Sequence, residues 1–576
     1  MNASKCLSLA LTSLLVVFQA GNVIAASAAP SSAVFSPLAS TPPADIPGGA
    51  KNASLQAAAI FAWQEFIALN WPAKAGVRDT PDTAQKFGAA TRQPLVWHTF
   101  RSKNEIFPGG NSASLPPHGY TSGGAPNYGY NDPPQYVYNA AAVGNNGQVQ
   151  ACSLQPPVTS PAWINLDEVT QIGLDSMFAG GVPAGSTPVN SNPQLIRFLA
   201  KANLSEYAYV AQHSYWYATN GSPRAIATQN FKKAVANNAF PPAAPFISFP
   251  TGTFEIKAAF RPLTPDEKNS NRFYSTQVRY YEQGANGKPC YREDQWGLIG
   301  LHIIQKTPSA PAFIFATFEQ ADNLLTTVGG KTVPVEDENG NIINASPTST
   351  TPALTYVDST TNPQVSIVGT NYCNTGSNPH LFYQNSAGQP GVPTGGSICV
   401  NQRDHAISPP IVGVNQAAHQ AIADYSKANG IVNSPWAYYK LVNVQAYPFN
   451  KADIVSDPTA PRNAATYYQA NIVVETNYTL QNFDGQVAEN GAPTNFNSSG
   501  TPYQNAYVLN QDGSLDSSYN MGGCMGCHGV AQSVKGGDFS FLIGAPPART
   551  PDVPAAMSAE QLKARFNSLL RPNNLK

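Results

Sequence analysis

Four runs between residues 253 and 319 constrain this chain most. Thr253–Phe260, Gln277–Tyr281, Trp296–Gln305 and Ala312–Glu319 read as strands separated by turn residues. Lys306-Thr307-Pro308-Ser309-Ala310-Pro311 joins the last two as a hairpin. The pattern predicts an antiparallel meander in a sizeable sheet. Side chains alternate across a strand, so Glu255, Lys257, Ala259 and Arg261 share one face of the first run. Leu298, Gly300, His302 and Ile304 share one face of the third, and Glu319 closes the fourth. If these faces meet, Glu255, Lys257, Arg261, His302 and Glu319 form a polar pocket. The plainer outcome is a solvated sheet face carrying cross-strand ion pairs.

Around the strands the sequence predicts peripheral helices and long loops. A helix starts at Ser54, a suitable N-cap, and Leu55, Ala58, Ala59, Ala62, Phe66 and Leu69 follow a helical period. Pro193–Tyr217 and Gln416–Asn429 also read as helices, the latter closed by Gly430. Tyr438–Ala446 reads as a strand. Residues 108–160 form a loop rich in Gly, Pro and Asn, in which Tyr128, Tyr130, Tyr136 and Tyr138 either pin the loop or line a groove. The 50 Pro and 45 Gly among 576 residues, against 42% apolar residues, fit a folded chain of short elements. The fold class is therefore α+β: a large body over residues 51–485, a polar linker over 486–515 and a small helical segment over 516–576. A formal charge of -1 with 12% charged residues excludes a nucleic-acid partner.

Cys524-Met525-Gly526-Cys527-His528 lies in that last segment. Cys-x-x-Cys-His is the attachment pattern of a c-type haem. Thiols three residues apart share one side of a helical turn, where both reach the vinyl groups of one porphyrin. The adjacent imidazole of His528 then ligates the iron. A thioredoxin-like dithiol uses the same thiol spacing, but follows a strand in a βαβ unit. A structural zinc site needs two further ligands, for which Cys373 and Cys399 are candidates. Neither alternative gives a reason for His528.

Residues 516–576 thus resemble the haem-attachment part of a c-type cytochrome, on Cys524, Cys527 and His528. The resemblance implies one covalent haem c, with Cys524 and Cys527 as attachment residues and His528 as iron ligand. It covers about a tenth of the chain, and only 48 residues follow His528. The large body is then expected to wall part of the site. Met557, just before a helix opened by Ser558-Ala559-Glu560-Gln561, is a candidate second axial ligand. His98, His302 and His419 are the alternatives, or the position is open.

The first 25 residues read as a secretory signal: Lys5, an apolar run from Leu7 to Phe18, and Val23-Ile24-Ala25 as cleavage site. Residues 26–50 read as a flexible lead-in. The signal implies a periplasmic or secreted bacterial protein with no membrane span after cleavage, in a compartment that permits disulfides. Cys152, Cys290, Cys373 and Cys399 allow three pairings, and Cys152–Cys290 with Cys373–Cys399 closes the shorter loops. Two functions fit. One is one-electron transfer with a redox partner protein, or a haem-dependent oxidoreductase acting on a small-molecule substrate. The other is an extracytoplasmic ligand-binding or sensing protein with a structural or reporter haem.

Overall fold

The computed structural model describes residues 30–89, 93–109, 113–156, 162–169, 194–323, 331–344, 406–463, 506–510, 512–544 and 550–553, with short pieces between them. Met557, Cys373, Cys399 and the signal lie outside the described residues. The elements that position the site begin with helix α1 (Leu55–Leu69), strand β1 (Arg101–Ser102), helix α2 (Lys103–Ile106) and strands β2 (Gln150–Ala151) and β3 (Ile164–Leu166). Strand β4 (Arg197–Ala202), helices α3 (Leu204–His213) and α4 (Pro223–Asn237), strand β5 (Phe254–Pro262) and helix α5 (Pro265–Asn269) follow. Strands β6 (Ser275–Gln283), β7 (Pro289–Thr307) and β8 (Ala310–Gln320) precede helix α6 (Pro409–Asn429) and strand β9 (Tyr439–Gln445). The hairpin β10 (Ala506–Leu509) and β11 (Leu515–Tyr519) then leads into helices α7 (Gly523–Lys535) and α8 (Phe541–Gly544).

The fold is α+β, built on a nine-stranded sheet with the order β1-β4-β5-β7-β8-β9. All pairs along that path are antiparallel. The predicted meander is modified at β7, which runs for 19 residues. Its first half pairs with β6 and its second half with β5 on the opposite edge, Trp296 and Gly297 pairing with both at once, so β6 and β8 follow one another along the same edge. Short parallel pieces, β2 on β7 and β3 on β6, complete the sheet. Beside β2 the Cys152–Cys290 disulfide forms, as expected, and ties loop to sheet across 138 residues.

Each sheet face is covered differently. On one face Ile256, Leu301, Ile303, Ile314 and Phe318 pack with α1 and α6. The Trp63 indole of α1 donates to Asn415 Oδ1 at 2.6 Å, and Asn415 in turn bonds both backbone groups of Leu441 on β9. Two helices and an edge strand are thereby held by one buried amide, which leaves no polar atom of the triple unsatisfied. A register shift between Ala259 and Phe260 puts Leu298 opposite Phe260, in this apolar layer. Leu298 therefore leaves the face predicted to hold His302, because a bulge reverses the alternation. The other face carries Glu255, Lys257, His302, Thr317 and Lys306, and is covered by α3, α4 and the C-terminal segment.

Two expected elements differ. Pro193–Tyr217 is not one helix: Arg197–Ala202 is strand β4, and α3 starts only after Asn203, whose side chain caps it. The helical spacing of its apolar residues yields to six ladder pairs with β5. At the end of the expected linker, and running past it, strands β10 and β11 pair as a hairpin. Among the described residues no helix is long and apolar enough to cross a membrane.

Arg261 turns out of the polar face to grip Glu267, with two hydrogen bonds of 2.9 and 2.7 Å. Glu267 also closes a capping box with Thr264 at the start of α5. Burial opposes ionisation of Glu267, but the Arg261 charge and these hydrogen bonds outweigh it and hold the carboxyl below its usual range. Such a group stabilises the fold above its unfolded pKa, and the contribution is lost as pH falls through the lower folded value. Glu267→Ala should thus cost about 3–5 kcal/mol near pH 7. Its urea midpoint should approach that of the parent protein as the pH is lowered to about 3, below the ordinary Glu pKa.

Candidate functional site

Helix α7 docks over the polar face. Gly523, with φ of 65°, makes the turn from β11 into the helix, a backbone state that only glycine adopts freely. The Met525 amide donates to Gln445 Oε1 on β9 at 3.0 Å. Gln532 makes a reciprocal pair with the Tyr507 backbone of β10, at 2.9 and 2.7 Å. Met521, Met525, Phe539, Leu542 and Ile543 pack with Ile304, Phe313 and Phe315 of the sheet in one buried cluster.

Between the helix and the sheet lies a cavity open to solvent. Cys524, Cys527 and His528 line it from α7, and Phe541 and Leu542 from α8. Opposite them stand Glu255, Lys257 and His302, three of the five residues predicted to form a polar pocket. The register explains the grouping. Lys257 and Thr317 flank His302 directly, and Glu255 is paired with Ile304. The other two are drawn away, Arg261 by Glu267 and Glu319 by Lys440 at 3.8 Å. The loop tyrosines do not line the cavity. Tyr130, Tyr136 and Tyr138 are buried and pin the loop through Asp79, the Ala162 carbonyl and Asp167.

His528 is held in a defined tautomer. Its Nδ1 lies 2.7 Å from the Phe539 carbonyl oxygen. A carbonyl only accepts, so the proton sits on Nδ1 and the lone pair on Nε2. The ring is wedged between Phe315 and Phe541, with centroids 4.6 and 5.0 Å away. Phe539 reaches His528 through a tight turn in which Asp538 and Phe539 have φ of 51° and 61°. Non-glycine residues hold such angles only when their surroundings demand it. Here Asp538 is anchored by Lys306 of β7 and by the Phe249 amide, each at 2.7 Å.

The cavity has two ends. Ile304, Phe315, Phe541 and Leu542 make one apolar. The other is charged: Lys103 is ion-paired with Glu168, and Lys257 stands nearby. Burial opposes the charge on Glu168, but Lys103 and then Lys257 hold its carboxyl below the usual range. Burial pushes Glu255 up to about 7. Glu206 of α3, its neighbour, is raised first by burial and then by the Glu255 charge. Lys103, Glu168 and Gln445 carry no local signal in the sequence, because only tertiary pairing brings them to the site.

Two thiols, an imidazole, apolar side chains and two ammonium groups, one of them paired with Glu168, thus line one cavity. Cys524 and Cys527 are not joined by a disulfide. The pair opens a helix that follows the polar strand β11. That strand belongs to a two-stranded antiparallel hairpin rather than a βαβ unit. Among the described residues no group of three or more His, Cys, Asp or Glu is placed to hold a metal ion by itself. Comparison with protein-family models, curated proteins and solved structures finds no match for the chain.

The bond from Met525 to Gln445 ties the motif to the sheet. Gln445→Leu should release it at a cost of about 1 kcal/mol. The check is hydrogen exchange at the Met525 amide, expected to speed up roughly five- to tenfold while the β7 amides keep their protection.

Proposed function

We propose that this chain is an exported monohaem c-type cytochrome, acting in one-electron transfer or as a haem-dependent oxidoreductase. The observation that carries this reading is the convergence of Cys524, Cys527 and the anchored His528 on one two-ended cavity. The haem would supply a one-electron iron couple. Cys524 and Cys527 would hold the group through their thiols, and His528, oriented by the Phe539 carbonyl, would offer Nε2 to the iron. Ile304, Phe315, Phe541 and Leu542 keep water from the ring, and a drier site strengthens every electrostatic interaction within it. Lys257, with Lys103 beside its partner Glu168, would face the group's acidic side chains. The redox partner is a protein or small molecule met outside the cytoplasm.

The test is expression in a bacterial host that matures c-type cytochromes, followed by mass spectrometry and an absorption spectrum. The peptide containing residues 524–528 should carry the mass of one haem, and Cys524→Ala with Cys527→Ala should lose it entirely. A peptide with the mass of its amino acids alone overturns the proposal.

A further inference from the structure

The group opposite His528 decides what such a site can do, and the sequence leaves Met557, His98, His302 and His419 open. Geometry removes two of these. His98 stands against Trp97 at 4.3 Å and Tyr274 at 5.7 Å, and its backbone carbonyl takes the Lys201 ammonium. Lys201 pairs in register with Ile256, so this cluster lies under the other sheet face. His419 has both ring nitrogens engaged, by Asn339 Oδ1 at 2.7 Å and the Tyr439 carbonyl at 2.8 Å. His118 lies beside Asp132 with its side chain nearly half exposed, and His213 bonds the Tyr209 carbonyl within its own helix. Met521 and Met525 are buried in the apolar cluster next to the thiols. Among the described residues, His302 is the one imidazole besides His528 that lines the cavity.

Resting on the haem reading above, we infer that His302 is the second axial ligand, so that the iron is held between two imidazoles. Its position suits the role. It sits in the middle of β7, laddered to β5 on one side and β8 on the other, and is only 8% exposed. A ligand on such a strand is placed by the sheet rather than by a loop, and so is held ready before the group arrives. Both imidazoles then belong to elements tied by the Lys306–Asp538 ion pair, four residues along β7 from His302 and one residue from Phe539. A six-coordinate iron has no position open to peroxide or dioxygen. This selects one-electron transfer over oxidoreductase chemistry. It also implies a lower potential than Met/His ligation gives.

The experiment uses the matured full chain and compares it with His302→Ala, His302→Met and, as a control away from the cavity, His118→Ala. Haem content is measured separately by the pyridine haemochrome, and ligation by electron paramagnetic resonance and near-infrared spectra. The unmodified protein should be low-spin, with the signature of two imidazoles and no response to carbon monoxide. His302→Ala should become high-spin, bind carbon monoxide and return to low-spin on adding imidazole. His302→Met should show a methionine-to-iron charge-transfer band and a raised potential, and His118→Ala should keep the parent spectrum. A haem-bearing parent that is high-spin or has a methionine signature overturns the assignment alone, whether or not the variants fold. So does a His302→Ala protein with the parent spectrum. A chain without covalent haem overturns the underlying reading and the assignment with it.

Discussion

Strand β7 is buried on both faces along its second half, yet apolar on only one. The rest of the site follows from that mismatch. A charged group taken out of water costs several kcal/mol unless a partner meets it, so each polar side chain on the second face needs an answer. Lys306 finds Asp538, and farther along the same face Lys440 finds Glu336 at 2.7 Å. Glu255, Lys257 and His302 instead converge on a cavity. Ion pairs that close on themselves belong to the scaffold. Polar groups aimed at a shared space on a rigid sheet are how a protein prepares to receive something.

What they face arrives from the far end of the chain. Helix α7 has no complete core of its own: its buried Met525 and Ala531 rest on surfaces that the sheet and the β10–β11 hairpin provide. The connection is also specific. Lys306 on β7 holds Asp538, Asp538 begins the tight turn, the turn presents the Phe539 carbonyl, and that carbonyl orients His528. The orientation of an imidazole in the last tenth of the sequence is thus set by a strand some 220 residues earlier, through two hydrogen bonds and a turn between them. A backbone conformation that costs of order 1–3 kcal/mol per residue persists there because a buried ion pair and a packed Phe539 hold it from both ends.

How much of this was legible depends on how local each signal is. The four central strands, helix α1 and the last two thirds of α6 lie where alternation, helical period and caps put them, since those cues are carried by neighbouring residues, but α6 itself starts at Pro409 rather than at the expected Gln416. The Cys152–Cys290 pairing followed from loop length. The segment before α3 misled, because Leu195, Phe198, Leu199 and Ala202 suit a helix and only the pairing with β5 reveals a strand. The polar pocket was half legible. Alternation correctly put Glu255, Lys257 and His302 together, but partners outside the predicted set, Glu267 and Lys440, took Arg261 and Glu319. Lys103 and Glu168 are 65 residues apart and meet at the edge of β4, which no spacing rule announces.

The division between the two faces also separates stability from chemistry. The larger apolar cluster, in which Trp63 meets Phe66 and Phe318 edge to face beside α1 and α6, lies mainly on the side away from the cavity, and its strand residues Ile256 and Ala316 also line that cavity. It touches the site only through the sheet itself. Packed interiors transmit strain because they are dense, but a ladder bonded on both edges resists bending, so changes in that core should alter how firmly His302 is held before they alter where it points. On the cavity side the apolar cluster is smaller, and is shared between the sheet and the motif helix. There the contacts that fold the C-terminal segment are the same contacts that shape the cavity. A chain arranged in this way keeps one face of its sheet for cohesion, and leaves the other free to combine charge, thiols and imidazole in one place.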